Sequence, residues 1–244
     1  MKYRDGVTIV TRDGSGKAKS VPTEPHSVID PYGRSQVSSK VGQSSVLIRQ
    51  LGLVDYEPVW QQMKEFTLAR TTSTPDEFWQ VEHPPIYTLG VAAKPEHLPR
   101  TDNGIPLVRS DRGGQITYHG PGQIVIYTLL DLRRRNLGVR ALVRRLERAV
   151  IELLSAYGID ANAREDAPGV YVGGAKVAAL GLRVRNGCCY HGLSLNVDMD
   201  LTPFGAIDPC GYPGLEVTQL RDLGVCDPAA AIAEKLLDTL AARI

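Results

Sequence analysis

The feature that most constrains this fold is a regular repeat of apolar residues between residues 139 and 157. Apolar side chains recur there at positions i, i+3, i+4 and i+7, which is the spacing of an amphipathic helix. Gly158 follows and is placed to end the helix. A helix with one apolar stripe has to pack against another layer of structure. The apolar positions are Val139, Leu142, Val143, Leu146, Ala149, Val150, Leu153, Leu154 and Tyr157.

Short strand-like segments should supply that layer. Two further helices are predicted, one from Asp55 as N-cap to about Ala69, and one over 228–242 with Asp227 as N-cap and Pro228 at N1. Because strands outnumber helices and occur in pairs, the predicted fold class is α/β, with a mixed β-sheet and flanking helices. The predicted strands are 46–50, 78–81, 86–89, 107–109, 123–131, 169–172, 176–185 and 189–198, with loop at 90–105 and a glycine-rich turn at 112–122.

The first 45 residues differ from the rest of the chain. Residues 1–44 contain no Leu, Phe or Trp, and Gly, Pro and Ser supply 15 of them. Such a segment buries too little apolar area to offset the entropy lost on ordering. We predict that 1–45 is a disordered extension, with a short strand-like run at 7–10, and that 46–244 is a single catalytic domain.

Composition excludes several classes of protein. The formal net charge is +1, so a chain-wide mode of nucleic-acid binding is not expected. The longest uncharged stretch, 113–130, carries Gly, Gln, His and Pro and does not read as a membrane span. Four cysteines in 244 residues do not form a disulfide scaffold, and no secretory signal is recognisable. The expected location is a reducing cytoplasm, with no nucleic-acid or membrane partner.

Four segments combine glycine with polar residues and little charge, and they are the candidates for site walls. They lie at 109–123, 173–183, 187–198 and 203–219. Glycine lets a backbone approach a ligand closely, although the same glycines could simply form hairpin turns. Cys210, between Pro209 and Gly211, is in a turn that could present a thiol to a pocket. A lone cysteine can equally be a small buried apolar residue.

Two standard cysteine sites fail on spacing. Cys188, Cys189 and His191 are too close together for a zinc site, and no second pair completes one. Cys210 lacks the sequence context of a papain-like nucleophile. No metal is therefore expected.

Lys176 precedes an apolar run in a predicted core strand. If its side chain points inward, it could exchange a proton with a thiol; otherwise its amine reaches solvent at the end of the strand. The sequence leaves both alternatives open.

Four motifs taken together resemble the lipoyl(octanoyl)transferase family, the lipoate-protein ligase B type. The resemblance begins near Val46 and covers about four-fifths of the chain. It implies an α/β fold similar to the catalytic domain of lipoate ligases and biotin protein ligases. The motifs are RGGQITYHGPGQ at 112–123, GGAKVAALGLRVR at 173–185, CYHGLSLNVDMDLTPF at 189–204 and IDPCGYPGLEVTQL at 207–220.

The resemblance also implies an activity and its residues. It implies an acyltransferase that moves an octanoyl group from octanoyl-acyl carrier protein to a lysine of lipoyl domains, without a cofactor. Cys210 would be the nucleophile that carries the acyl group as a thioester, and Lys176 would tune the pKa of that cysteine and move protons. The implied acyl-pocket residues are Arg112, Gly113, Gly114, Gln115, Ile116, Thr117, Tyr118, His119, Ala179, Leu180, Gly181, Gly192, Leu193 and Ser194.

Partners follow from the same resemblance. The acceptors would be lipoyl domains of 2-oxoacid dehydrogenase E2 subunits and the glycine cleavage H protein. Arg140, Arg144 and Arg148 fall at i, i+4 and i+8 on the polar face of the 139–157 helix. They form either a solvated helix face or a docking site for the acidic carrier protein.

The sequence departs from the family pattern in three places. Cys189 replaces a usual Ser or Thr and could be a second reactive thiol near the pocket, Pro213 replaces Ala, and 1–44 has no counterpart. Two alternatives are an ATP-dependent lipoate or biotin-type ligase on the same fold, and a catalytically dead module that binds the carrier protein. The presence of both Cys210 and Lys176 argues against both.

Overall fold

A computed structural model of the chain describes residues 10–12, 18–20, 46–208 and 214–244. Within these residues three α-helices flank two β-sheets, and two short 3-10 turns lie at Pro95–His97 and Thr202–Ala206. The helices are α1 (Tyr56–Ala69), α2 (Val139–Ser155) and α3 (Ala229–Arg243). The strands are β1 (Val10–Arg12), β2 (Ala18–Ser20), β3 (Val46–Leu53), β4 (Asp76–Glu82), β5 (Ile86–Leu89), β6 (Leu107–Arg109), β7 (Ile116–His119), β8 (Gln123–Asp131), β9 (Asn162–Ala163), β10 (Gly169–Val172), β11 (Ala175–Arg185) and β12 (Cys188–Asn196).

The larger sheet is mixed, as predicted. Its strand order in the described residues is β2-β1-β3-β4-β8-β12-β11-β10-β9, and only β3 and β4 pair in parallel. The smaller sheet has the order β6-β5-β7, with β5 and β6 parallel. The α/β class with a mixed sheet and flanking helices is therefore confirmed.

The central strand β8 explains why its sequence is almost continuously apolar. Ile124 and Ile126 point to the face covered by α2 and α3, whereas Val125 and Tyr127 point to the face covered by α1. Successive strand residues alternate between faces, so a strand buried on both sides is apolar at every position. Most of the α2 stripe predicted from the sequence is buried in the first of these cores, whereas Val139 at its start is exposed. The buried members are Leu142, Leu146, Ala149, Val150, Leu153 and Leu154.

Two local predictions were wrong. Asp227 does not cap α3, because Pro228 is the N-cap residue and the Asp227 carboxylate accepts hydrogen bonds at 2.8 Å from Lys235 Nζ and the Tyr157 hydroxyl. Residues 112–122 are not all turn, because β7 lies within them. β7 forms by pairing antiparallel to β5, from Ile86–His119 to Leu89–Ile116, a long-range contact that no local pattern indicates.

Part of the predicted N-terminal extension carries strands. β1 pairs with β2 and meets the edge of β3 at Val10 and Ile48. The rest of 1–45 lies outside the described residues, so its disorder stays a prediction, as does the strand-like run at 7–10 apart from Val10. No helix in the described part of the chain has the length and apolar character needed to cross a membrane.

Candidate active site

Lys176 lies near the start of β11 with its side chain turned inward. The residue is 3% exposed, and its Nζ donates a hydrogen bond to the Pro168 carbonyl at 3.2 Å and lies 5.1 Å from the centre of the Tyr171 ring. Of the two alternatives left open by the sequence, the inward orientation is therefore the one found. An amine that reaches solvent at the strand end is excluded.

The backbone of Lys176 attaches a second segment to β11. Its N–H donates to the Glu216 carbonyl at 2.8 Å, and its carbonyl accepts from the Thr218 N–H at 3.0 Å. This pairing brings Val217 alongside Lys176 in a parallel bridge. The chain that leaves the 209–213 segment is thus fixed beside the buried lysine.

Cys210 lies outside the described residues, together with 209 and 211–213. The chain leading into this segment is held by Arg100. The Arg100 guanidinium donates to Asp208 Oδ1 at 2.7 Å and to the Gly205 and Ile207 carbonyls at 2.8 and 3.2 Å. Both described flanks of the cysteine segment are therefore anchored, one by Arg100 and one by Lys176.

Two cavities adjoin each other beside Lys176. The first contains the lysine and also Gln123 and Asn196. Thr117, Ala179 and Ser194 line both cavities and so mark where they meet. The second cavity, called the acyl cavity below after the pocket that the resemblance implies, is lined by Tyr56, Arg112, Gly114, Gln115, Ile116, Thr117, His119, Val125, Tyr127, Ala179, Leu180, Gly181, His191, Gly192, Leu193 and Ser194.

The predicted acyl-pocket residues all line this cavity except Gly113 and Tyr118. Tyr118 belongs to the opposite face of β7 from Thr117, and its ring packs 5.7 Å from that of Tyr87 and 5.5 Å from that of Phe204, measured between ring centres. The Gly113 N–H donates to the Leu182 carbonyl at 2.9 Å. Neither residue lines the pocket: the Tyr118 ring packs against Tyr87 and Phe204, and the Gly113 backbone is paired with Leu182.

The roof of the acyl cavity is the loop that begins at Arg112. The Arg112 side chain is buried and ties this loop together, donating to the Gly113 and Gln115 carbonyls at 3.0 and 2.8 Å and to Thr88 Oγ1 at 3.0 Å. Gly181 lies beneath the roof, where an added Cβ would come 3.0 Å from the Gly113 carbonyl oxygen. Glycine at this position lets the loop close over the sheet.

The floor of the acyl cavity consists of two rows of residues that run across the sheet. Val125, Ser194 and Ala179 are cross-strand neighbours in the first row. Tyr127, Gly192 and Gly181 are neighbours in the second, two residues further along each strand. Asn196 and Gln123 form a third row, on the other side of the first row from Gly192. They line the first cavity, which contains Lys176 and is called the lysine cavity below. The acyl cavity therefore runs along the strands, away from Lys176.

A polar chain borders the junction of the two cavities. His119 Nδ1 donates to Gln123 Oε1 at 2.6 Å, and the Gln123 amide donates to Asn196 Oδ1 at 2.9 Å. Asn196 donates in turn to the Thr218 carbonyl at 3.0 Å, next to Lys176. Burial is the main reason why the pKa of His119 is lowered to about 3, so its ring is neutral at physiological pH.

Four lining residues were not found from the sequence. They are Tyr56, Val125, Tyr127 and His191. Tyr127 donates its hydroxyl to His83 Nε2 at 2.7 Å while His83 Nδ1 donates to the Val54 carbonyl at 2.7 Å. In the sequence, only the apolar run of β8 and the Tyr-His pair at 190–191 indicate that these residues could line a site. Tyr56, Val125 and Tyr127 point inward because α1 covers this face of the sheet, whereas the direction of His191 depends on its own backbone conformation.

Asp111 lies behind the wall of the acyl cavity and binds His191, which lines it. Its Oδ1 accepts from Trp60 Nε1 at 2.7 Å and from His191 Nε2 at 3.0 Å, and its Oδ2 accepts from the Tyr190 hydroxyl. Although partial burial acts to raise the pKa of Asp111, the hydrogen bonds from His191, Tyr190 and Trp60 outweigh it and lower that pKa strongly. The carboxylate is therefore charged and positions three aromatic side chains.

Cys189 is not a second reactive thiol at the pocket. It is buried in the core and its Sγ donates to the Thr128 carbonyl at 3.2 Å. Burial raises its pKa to about 12, so the thiolate form is negligible at neutral pH. Among the described residues, no group of three His, Cys, Asp or Glu side chains is arranged to hold a metal ion.

Solved structures with a similar fold are ligases. A bi-partite lipoate protein ligase from Thermoplasma acidophilum aligns with a TM-score of 0.58 at 17% identity, covering 78% of this chain and 81% of that one. A biotin protein ligase from Aquifex aeolicus, in complex with biotin and ATP, aligns with a TM-score of 0.53 at 14% identity, covering 80% and 68%. At these identities the likeness shows the fold alone.

Sequence comparison places the chain more narrowly. The lipoyl protein ligase A/B catalytic domain matches residues 55–241. The octanoyltransferase of Azoarcus sp. (strain BH72) is 62% identical over 195 residues, which cover 80% of this chain and 86% of that protein. The octanoyltransferase of Laribacter hongkongensis (strain HLHK9) is 62% identical over 197 residues, covering 81% and 95%. The chain therefore belongs to the lipoyl protein ligase A/B family and, within it, to the octanoyltransferases, which are acyltransferases.

Proposed function

We propose that this protein transfers an octanoyl group from octanoyl-acyl carrier protein to a lysine of lipoyl domains, through a thioester on Cys210. The observation that carries the proposal is the junction of the two cavities. A buried amine, Lys176, lies in one cavity, and the largely apolar acyl cavity opens from it. Such an arrangement holds an alkyl chain with its reactive end beside a proton-transfer group.

In the first half-reaction, the sulfur of Cys210 attacks the thioester carbonyl of the donor. A new C–S bond forms to Cys210, and the C–S bond to the carrier breaks. The thiol proton passes through Lys176 to the departing carrier sulfur, so charge balances. Exchange of one thioester for another keeps the acyl group activated, which is why no nucleotide is required.

In the second half-reaction, the amine of the lipoyl-domain lysine attacks the acyl-Cys210 carbonyl. An amide bond forms as the C–S bond breaks, and the proton lost by the amine passes through Lys176 to the cysteine sulfur. Backbone N–H groups of the glycine-rich loops would stabilise the oxyanion formed in each half. Two transfers at one thiol predict ping-pong kinetics.

Partners are proposed on the same basis. The donor is the acidic carrier protein, and the acceptors are lipoyl domains of 2-oxoacid dehydrogenase E2 subunits and of the glycine cleavage H protein, all in the cytoplasm. Arg140, Arg144 and Arg148, called the arginine stripe below, are exposed on α2. Glu147, on the same helix, is not exposed beside them, because it is buried and accepts a hydrogen bond from the Gly169 N–H. We assign carrier docking to the stripe.

Mass spectrometry of the intact protein tests the covalent step. After mixing with octanoyl-acyl carrier protein and no ATP, the wild type should gain one octanoyl group that maps to Cys210. Cys210→Ser should gain none. Cys226→Ser is the matched control, because Cys226 is an exposed free cysteine away from the cavities, and it should acylate like the wild type. An ATP requirement, or an adduct on another residue, would support the ligase alternative instead.

A further inference from the structure

A single peptide group connects a buried carboxyl group of α2 to the amine of Lys176. Its carbonyl, which belongs to Pro168, accepts a hydrogen bond from Lys176 Nζ at 3.2 Å. Its N–H, which belongs to Gly169, donates to Glu147 Oε1 at 3.0 Å. Glu147 is 6% exposed and Lys176 is 3% exposed. An amine and a carboxyl group that are both buried are therefore hydrogen-bonded to the two ends of the same amide, called the bridging amide below.

The close approach of the lysine to this amide depends on Gly169. Its φ is +149°, a conformation that residues with a side chain rarely adopt. A Cβ at this position would lie 2.9 Å from Lys176 Cε and 3.1 Å from Lys176 Nζ. Because glycine has no Cβ, the lysine side chain can lie against the same backbone unit that Glu147 holds from the other side.

The bridging amide is oriented to connect opposite charges. Its N–H end, which carries a positive partial charge, meets the carboxyl group, and its C=O end, which carries a negative one, meets the amine. A carboxylate on Glu147 therefore polarises the amide and strengthens the hydrogen bond that the carbonyl accepts. A buried negative charge also favours the charged form of a nearby amine directly, whereas burial alone disfavours it. Both effects of Glu147 favour the ammonium form of Lys176.

Charged groups of α2 and β11 act on the carboxyl end of the bridge. Burial raises the pKa of Glu147, while the Gly169 hydrogen bond and the charges of Lys176 and Arg144 act in the opposite direction. The influence of Lys176 on Glu147 is reciprocal, because a charge that favours the carboxylate is itself favoured by it. The two groups are thus coupled electrostatically as well as by hydrogen bonds.

Aromatic and charged groups near the lysine end do not replace this carboxyl group. The Tyr171 ring centre lies 5.1 Å from Lys176 Nζ, and Arg164 lies 5.2 Å from the centre of the same ring. Asp166 is exposed and pairs with Arg164 at 2.8 Å. Glu216, whose backbone pairs with Lys176, has an exposed side chain. Buried acidic contact with the lysine through the bridging amide comes from α2.

We propose that Glu147 is a positioning residue for the transfer reaction, acting through the bridging amide to hold Lys176 as an ammonium ion in the resting enzyme. The proton on the lysine is then the one released by the Cys210 thiol, and it passes to the carrier sulfur as the C–S bond to the carrier breaks. The resulting neutral amine can accept the proton of the incoming lysine in the second half-reaction. This inference rests on the proposed function, because it takes Lys176 as the proton-transfer group.

A purely structural role would not require a carboxyl group at this position. A buried N–H needs only an acceptor, and an amide supplies one at a lower cost of desolvation than a carboxylate. Glu147→Gln is therefore the informative variant, since it keeps an acceptor for the Gly169 N–H and removes the charge. Glu152→Gln is the matched control, because it removes the same charge from an exposed position on the same helix.

NMR of protein labelled with carbon-13 lysine measures the protonation of Lys176 without depending on activity. The Cε resonance of Lys176 is assigned by its loss in Lys176→Arg. Its titration midpoint should fall by about one pH unit in Glu147→Gln, as expected for a charge several ångströms away at an effective dielectric constant of about 20, and should not move in Glu152→Gln. An unmoved midpoint in folded Glu147→Gln would overturn the proposal. So would a wild-type lysine that is neutral at neutral pH, a result that needs no variant.

The pH profile of transfer connects this proton to catalysis. The kcat/KM for octanoyl-CoA should decline at alkaline pH as Lys176 loses its proton, and the decline should begin about one pH unit lower in Glu147→Gln than in the wild type. An equal loss at every pH would indicate a structural role and overturn the proposal. If the wild type transfers octanoyl without an adduct on Cys210, the proposed function is at fault, whereas the NMR midpoint still tests the effect of Glu147 on Lys176.

Discussion

Glu147 on α2 accepts a hydrogen bond at 3.0 Å from the backbone N–H of Gly169 on β10. The carboxyl group is buried, and burial raises the pKa of Glu147, while the Gly169 bond and the charge of Lys176 act in the opposite direction. Gly169 also touches the lysine, because a Cβ added there would lie 2.9 Å from Lys176 Cε. Helix α2 thus supports the strand segment against which Lys176 packs.

Substitutions at Glu147 should separate hydrogen bonding from charge. Glu147→Leu leaves the buried Gly169 N–H without an acceptor and should lower the free energy of unfolding by about 1–3 kcal/mol. Glu147→Gln keeps an acceptor and should cost less than about 1 kcal/mol. Urea unfolding of both variants measures the difference. Equal losses in the two variants would mean that the Gly169 hydrogen bond contributes nothing.

Lys176→Arg should impair transfer although it keeps the charge. Arginine does not release a proton in a protein, so it can stabilise a thiolate but cannot shuttle protons. Loss of a positioned acid–base group lowers the rate by about 10²–10⁴-fold. Octanoyl transfer should fall by that factor, whereas Lys235→Arg, the same change at an exposed site, should remain near the wild-type rate. A wild-type rate in Lys176→Arg would reduce the lysine to a structural role.

Charge reversal of the arginine stripe should affect the carrier protein and not the acyl chain. Arg144→Glu with Arg148→Glu should raise KM for octanoyl-acyl carrier protein, most at low ionic strength, since rim charges act mainly on encounter. Transfer from octanoyl-CoA should change little. Arg164→Glu with Arg221→Glu is the matched control, with the same charge change at exposed sites off the stripe. Equal losses with both donors would indicate damage to α2, and no loss with either would place docking elsewhere.

Buried His119 should make the domain lose stability as pH falls. Its pKa is lowered from 6.5 to about 3, so the unfolded chain takes up the proton first, and stability is lost as pH falls from 6.5 towards 3. At about 1.4 kcal/mol per pH unit, this residue accounts for about 2 kcal/mol between pH 6.5 and 5. His119→Gln should show a shallower dependence of unfolding free energy on pH over that interval. Parallel curves for the two proteins would contradict the buried neutral ring.

Local patterns in the sequence predicted the elements that local chemistry controls. The stripe of α2 needs only the helical repeat, and the apolar run of β8 needs only burial on both faces. The family resemblance also rests on local sequence motifs, because four motifs in the same order are specific even before their contacts are known. Cys210 and Lys176 were singled out in this way, although their roles remain proposals.

Contacts between distant segments decided the rest. The direction of Lys176 depends on Gly169 and on the 216–218 segment, which pairs with it from forty residues further along the chain. β7 exists because β5 pairs with it, and the Asp227 carboxylate accepts from the Tyr157 hydroxyl because the C-terminal end of α2 and the N-terminal end of α3 come together. His191 joins the acyl cavity only because its backbone turns where the ladder to β8 is interrupted. Periodicity records which residues are apolar, but which face a side chain occupies, and what it meets there, depends on packing between elements far apart in the chain.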